Sequence, residues 1–138
     1  MSPYLNEDHP SSAYQCGRLM AVYARLQHAA LGDRNADVVQ RFYAAASATP
    51  ALVMGRLAVL SKFHLGAIKS KGLAIWFERK LADIASRVEN CMPTTLSLEQ
   101  QSMFALGYYQ QYAADEVSKP GASSDTAATE ESEETNNE

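Results

Sequence analysis

Histidine and cysteine are scarce, with three and two among 138 residues. A metal centre needs convergent ligands. His9, His28 and His64 have no partner at ligand spacing, and Glu78 is the only acid near His64 across its hairpin, so no metal site is expected. Cys16 and Cys91 lie far apart, without a recognisable nucleophile signature. Both read as reduced thiols and small apolar residues. The seven glycines do not form a phosphate-binding loop; Gly66 and Gly72 flank a turn at the wrong spacing. Paired carboxylates are also missing, because the acids of the chain body sit mostly among cations. These absences argue against an enzyme, a bound cofactor and a small-molecule substrate. No run approaches the roughly 18 apolar residues of a membrane span. The N-terminus has no basic start followed by an apolar stretch, so neither membrane insertion nor export is expected and a cytoplasmic location follows. Strict apolar–polar alternation is absent too, which leaves little basis for strands.

What the chain does have is an uneven distribution of charge. The net charge of −4 conceals two opposed regions. Residues 13–114 contain eleven Lys or Arg against six Asp or Glu, while residues 115–138 contain Lys119 against eight acids. A basic body points to a polyanionic partner. The C-terminal stretch of Ser, Thr, Ala, Glu and Asn cannot bury enough apolar surface to offset chain entropy, and is expected to be disordered.

Helical periodicity organises the body. Residues 1–12, polar and with Pro3 and Pro10, read as an arm. Ser11 or Ser12 caps a first helix that runs to Leu31, with Cys16, Leu19, Tyr23, Leu26 and Ala30 on one stripe and Gly32 at its end. A second helix fits Ala36 to Ala46. Thr49-Pro50 opens a third, reaching about Ser70, whose Gly55 and Gly66 either weaken it or admit a close neighbour. A fourth spans Leu73 to Glu89, with Phe77, Leu81, Ile84 and Val88 inward. Ser97 and Gln100 form a capping-box pattern ahead of a fifth helix, Leu98 to Ala114. That last helix is apolar almost all round and is expected at the centre of the bundle or buried partly in another subunit. The expected fold is thus all-α, a compact bundle of about five helices over 13–114, between an arm at 1–12 and an acidic tail at 115–138.

Turning the apolar stripes inward leaves Arg18, Arg25, Lys62, Lys69, Lys71, Arg79, Lys80 and Arg87 as candidate phosphate contacts. Long basic side chains suit sequence-independent contact with a nucleic-acid backbone. The competing assignment is a solvated surface with ion pairs such as Arg79 to Asp83, each contributing about 0–1 kcal/mol. Tyr108, Tyr109 and Tyr112 could stack on unpaired bases. Their spacing fits core packing better, and the excess apolar surface of the last helix makes them candidates for a protein interface. From these residues alone, only a helical bundle with a basic surface follows.

Arg41-Phe42-Tyr43-Ala44-Ala45-Ala46-Ser47-Ala48-Thr49-Pro50 resembles a segment of one known family. Three further matches occur in the same order. They are Cys16-Gly17-Arg18-Leu19, then Ala29-Ala30-Leu31-Gly32, then Leu96-Ser97-Leu98-Glu99-Gln100-Gln101 followed by Phe104-Ala105-Leu106-Gly107-Tyr108-Tyr109. Together they make the chain similar to the C-terminal part of the large subunit of the type I-C CRISPR surveillance complex, Cascade. The same helical segment also occurs there as a separate small subunit, made by internal initiation. A start at Met1 just ahead of the first match, without another domain, favours the small subunit over a fragment of the large one.

The resemblance implies a non-catalytic subunit of an RNA-guided complex, antiviral in role. Its partners would be the large subunit, the backbone subunits and further copies of itself in a row. The basic surface would hold the opened DNA of the R-loop, as displaced strand or guide RNA–target heteroduplex. The alternative is a spacer between proteins that touches no nucleic acid. Ala44 to Ala48 and Gly107 would be structural, letting helices approach closely. Arg18 and Arg41 lie inside matched motifs, where each could meet phosphate, a carboxylate or a carbonyl. The acidic tail corresponds to no family motif.

Overall fold

Ser11 accepts a hydrogen bond from the Tyr14 N–H, which satisfies a free donor of the first turn and starts helix α1, Ser12–Leu31. Gly32, at φ 68°, donates to the His28 carbonyl and ends it; few residues other than glycine adopt this conformation cheaply. The computed structural model describes residues 4–32, 38–88 and 92–118. Four more helices follow: α2 Val38–Ala48, α3 Pro50–Ala67, α4 Lys71–Ser86 and α5 Leu98–Ser118. No strand occurs among the described residues, and the expected all-α bundle of five helices is observed.

The local signals explain the boundaries. Pro50 occupies the first position of α3, where its missing N–H leaves nothing unsatisfied. The Ser70 hydroxyl accepts from the Leu73 N–H and caps α4, while α3 itself stops at Ala67. At α5 the capping box is reciprocal: Gln100 N–H donates to Ser97 Oγ at 3.2 Å, and Ser97 N–H donates to Gln100 Oε1 at 2.9 Å. The connection before α5 is pinned by Leu96 N–H to the Ala48 carbonyl and Ala51 N–H to the Pro93 carbonyl, at 2.9 and 3.1 Å.

The central element is α1, not α5 as its all-round apolar pattern suggests. Helix α1 packs against all four others, whereas α5 lies against α1 and α2. From Ala13 to Leu26 only Arg25 of α1 is not fully buried. Leu26 and Met20 of α1 meet Leu57 of α3, Phe77 and Ile84 of α4 and Phe104 of α5 in one core. Two glycines set the α1–α5 distance. A methyl group added at Gly17 would overlap the Phe104 carbonyl and reach 2.9 Å from the Tyr108 nitrogen; one added at Gly107 would overlap the Tyr14 carbonyl. Gly107 thus acts as expected. Gly55 and Gly66 have open space around them, so close approach does not explain them.

Several expected boundaries shift: α2 ends at Ala48 and not Ala46, α3 at Ala67 and not near Ser70, and α4 runs Lys71–Ser86 and not Leu73–Glu89. Helix α5 continues to Ser118, four residues past Ala114, because Asp115 is fully buried and accepts a hydrogen bond from Gln111. The start of the expected disordered tail is therefore helical; residues 119–138 lie outside the described residues. The end of the N-terminal arm is held in place. Asn6 N–H donates to the Tyr14 hydroxyl, His9 stacks on the Tyr14 ring at 4.1 Å, and the Glu7 carbonyl accepts from Gln15, Arg18 and Arg87.

Candidate nucleic-acid interface

The eight candidate cations divide into two groups. Arg18 is not on the surface at all. It is fully buried, donating from Nε to Gln111 Oε1 at 2.8 Å and from Nη1 to Gln15 Oε1 at 2.7 Å and the Glu7 carbonyl at 3.1 Å. Burial lowers its pKa, with the Glu7 charge opposing that shift. A guanidinium with five N–H groups can bind three polar partners at once, which is why an arginine fits inside this crossing. Arg25 is nearly buried, lies over the Tyr112 ring at 3.7 Å, donates to the Tyr112 carbonyl and pairs with Glu116. Arg87 bonds Asp8 at 2.6 Å, contacts Asp83 at 3.5 Å and holds the Glu7 carbonyl. The hydrogen bond with Asp8 raises its pKa, burial opposing it. These three arginines do not meet the expectation of exposed cations. Helical spacing cannot reveal that Glu7, Asp8, Gln111 and Glu116 converge on them from distant positions.

Lys62, Lys69, Lys71 and Arg79 are exposed and have no ion-pair partner among the described residues. Asp83, considered for Arg79, instead contacts Arg87. Lys80 is half-buried, its ammonium 5.5 Å from the centre of the Trp76 ring. These five follow one another in sequence from the last turns of α3, across the Ser70 cap, to the third turn of α4. Trp76, Arg79 and Lys80, with Gly72, Ile75 and Asp83, line a shallow notch of about 450 Å3.

The three tyrosines separate as well. Tyr108 is buried, edge-on to Tyr43 at 4.9 Å and stacked on Tyr112 at 5.7 Å. It belongs to the core of the chain itself, not to an outward interface. Tyr112 is half-buried beneath Arg25, and Tyr109 is exposed. With Tyr43 and Ala44 they line a second surface hollow.

One exposed apolar stripe among the described residues is missed by the spacing argument. Leu52, Val59 and Phe63 point outward on α3, with Arg56 among them. The signal was present: α3 contains no acid and is apolar on every side, so its inward stripe leaves another uncovered. Among the described residues no three His, Cys, Asp or Glu side chains gather where they could hold a metal ion, and no helix is long and apolar enough to cross a membrane. Cys16 is fully buried in α1; Cys91 lies outside the described residues.

Fold and surface define an all-α bundle with exposed cations on α3, on α4 and at the turn between them. Residues 1–115 match the family described as CRISPR-associated protein (Cas_Csd1). The match takes in all but the last turn of α5, and the chain belongs to this CRISPR-associated family. Comparison with curated proteins gives no match.

Proposed function

We propose that the chain is a non-catalytic subunit of a type I-C Cascade complex, holding opened target DNA through exposed cations of α3, of α4 and of the turn between them. The observation that carries this is the set of exposed cations Lys62, Lys69, Lys71 and Arg79, which no carboxylate of the described residues neutralises. Uncompensated exposed cations are what a phosphate backbone recruits, by releasing its condensed counterions. Such contacts position a strand without reading its bases, in keeping with RNA-guided systems where pairing reads the sequence. The partners in this role are the large and backbone subunits, further copies in a row, and the displaced strand or heteroduplex, all in the cytoplasm.

The test is reconstitution of the guide complex with this chain or a variant carrying Lys62→Glu, Lys69→Glu, Lys71→Glu and Arg79→Glu. The variant should assemble with guide RNA, yet open duplex targets less stably, to a similar extent for unrelated sequences. The salt dependence should flatten by about 0.7 for each lost single-strand phosphate contact.

A second role, as a protein–protein spacer, is favoured by Leu52, Val59 and Phe63 on the outer face of α3. Unchanged duplex opening in the fourfold variant, together with loss of assembly in Phe63→Ser, would put the spacer in place of the DNA-holding role.

A further inference from the structure

Helix α4 turns Phe77 and Ile84 into the core. Gly72, Ile75, Trp76, Arg79, Lys80 and Asp83 recur at three- and four-residue spacing, so they share a different side of the helix, where they line the shallow notch. Ile75 is exposed and Trp76 half-buried. The Trp76 indole stands edge-on to Phe77 at 5.0 Å, which steadies it against the core. Arg79 is exposed, and the Lys80 ammonium lies 5.5 Å from the centre of the indole. The acid on this face, Asp83, contacts Arg87. A Cβ at Gly72 would meet nothing within 4 Å, so the head of the face is open. From Gly72 to Asp83 the face runs about 17 Å along the helix. An indole, an exposed isoleucine and two cations thus stand together on one helix surface.

We propose that this face binds an unpaired nucleotide, its base stacked on Trp76 and its flanking phosphates held by Arg79 and Lys80. The chemistry of the face selects that occupant. A nucleotide joins a flat ring to an anion, and here an indole stands about one helical turn, some 5.4 Å, from two cations. Every base has a π face, so stacking on an aromatic side chain is sequence-tolerant. Paired bases hide those faces inside the duplex, which makes the site selective for a single strand. Lys80 sits near the indole without a tight contact, and its flexible stem lets the ammonium move to a phosphate. A second copy of the same face would be repelled by like charge. The CRISPR-associated family of the chain makes nucleic acid the polyanion to consider before an acidic peptide. The site rests on the DNA-holding role proposed above and adds to it a contact with bases, which phosphate contacts alone do not supply.

Trp76 is the sole tryptophan of the chain, so its fluorescence reports on this face alone. The full chain is titrated at low salt with an oligothymidylate of about 12 nucleotides and with an abasic strand of equal length. Anisotropy of dye-labelled strands measures binding independently. The oligothymidylate should quench Trp76 and bind roughly tenfold tighter than the abasic strand, which should leave the emission unchanged. Trp76→Leu keeps an apolar side chain against Phe77; it should abolish the tenfold preference and leave the salt slope as it was. Arg79→Gln and Lys80→Gln should each flatten that slope by about 0.7. Binding of oligothymidylate without a change in Trp76 emission, or equal quenching by both strands, overturns the stacking site and leaves the DNA-holding role standing. A tenfold preference that survives in Trp76→Leu does the same. Binding of neither strand overturns the site and the DNA-holding role together.

Discussion

Gly17 of α1 and Gly107 of α5 are reciprocal: each presents a bare Cα to the backbone of the other's helix, Gly17 to Phe104 and Gly107 to Tyr14. No other glycine of the described residues has a neighbour this close. The rest that are described, at positions 32, 55, 66 and 72, have open space where a Cβ would sit. The two helices joined by this crossing also hold the Arg18–Gln111 and Arg25–Glu116 contacts, so one close approach supports both the core and the burial of two arginines.

Alanine at Gly17 or Gly107 should destabilise the chain by about 2 kcal/mol or more, since backbone atoms must be pushed apart. Alanine at Gly55 or Gly66, inside α3 with open space, should instead raise stability by about 0.5–1 kcal/mol through helix propensity. Denaturant unfolding of the four variants gives the signs. The same sign at all four would refute the crossing.

Asp115 makes stability depend on pH. Burial raises its pKa to about 6, with the Gln111 hydrogen bond and the charges of Lys80, Arg25 and Arg18 opposing the rise. The folded state therefore holds this proton between about pH 4 and 6, where the unfolded chain has released it. That contribution is present at low pH and lost as pH rises through about 6, a change on the order of 3 kcal/mol. Asp115→Asn keeps an acceptor for Gln111 and removes the titration. Melting curves from pH 4 to 7 should show the variant gaining on the parent as pH rises; parallel curves would exclude the effect.

Arginine and lysine variants should part company. Arg18→Met strands the acceptors on Gln111 and Gln15 inside the protein and should cost about 3 kcal/mol. Lys62→Glu, Lys69→Glu and Lys71→Glu, all exposed, should each change stability by no more than about 0.5 kcal/mol. Thermal melts alone make this separation, before any duplex-opening assay. A stability loss in the lysine variants equal to that of Arg18→Met would contradict it.

The tyrosines give a similar contrast. Tyr108→Ala removes a buried ring packed on Tyr43 and Tyr112 and should cost about 3 kcal/mol. Tyr109→Ala, at an exposed position, should leave the melt almost unchanged. If Tyr109 lies in a contact with another subunit, its alanine variant should still fold but leave the complex on size-exclusion chromatography.

The five-helix count, the starts of α1, α3 and α5 and the end of α1 could be read directly from the sequence, because capping depends on residues only three or four apart. Ser11, Gly32, Pro50 and the Ser97–Gln100 pair act through bonds that short-range spacing specifies. The family was legible as well, since its four motifs run in order along the chain and residues 1–115 match it. What only the tertiary structure decided is which helix is central and which cations remain exposed. Arg18, Arg25 and Arg87 have the spacing of surface residues, yet their partners come from as far as 93 positions away. Helical periodicity says which residues share a face. It does not say what that face meets, and burial and charge neutralisation are decided by that meeting.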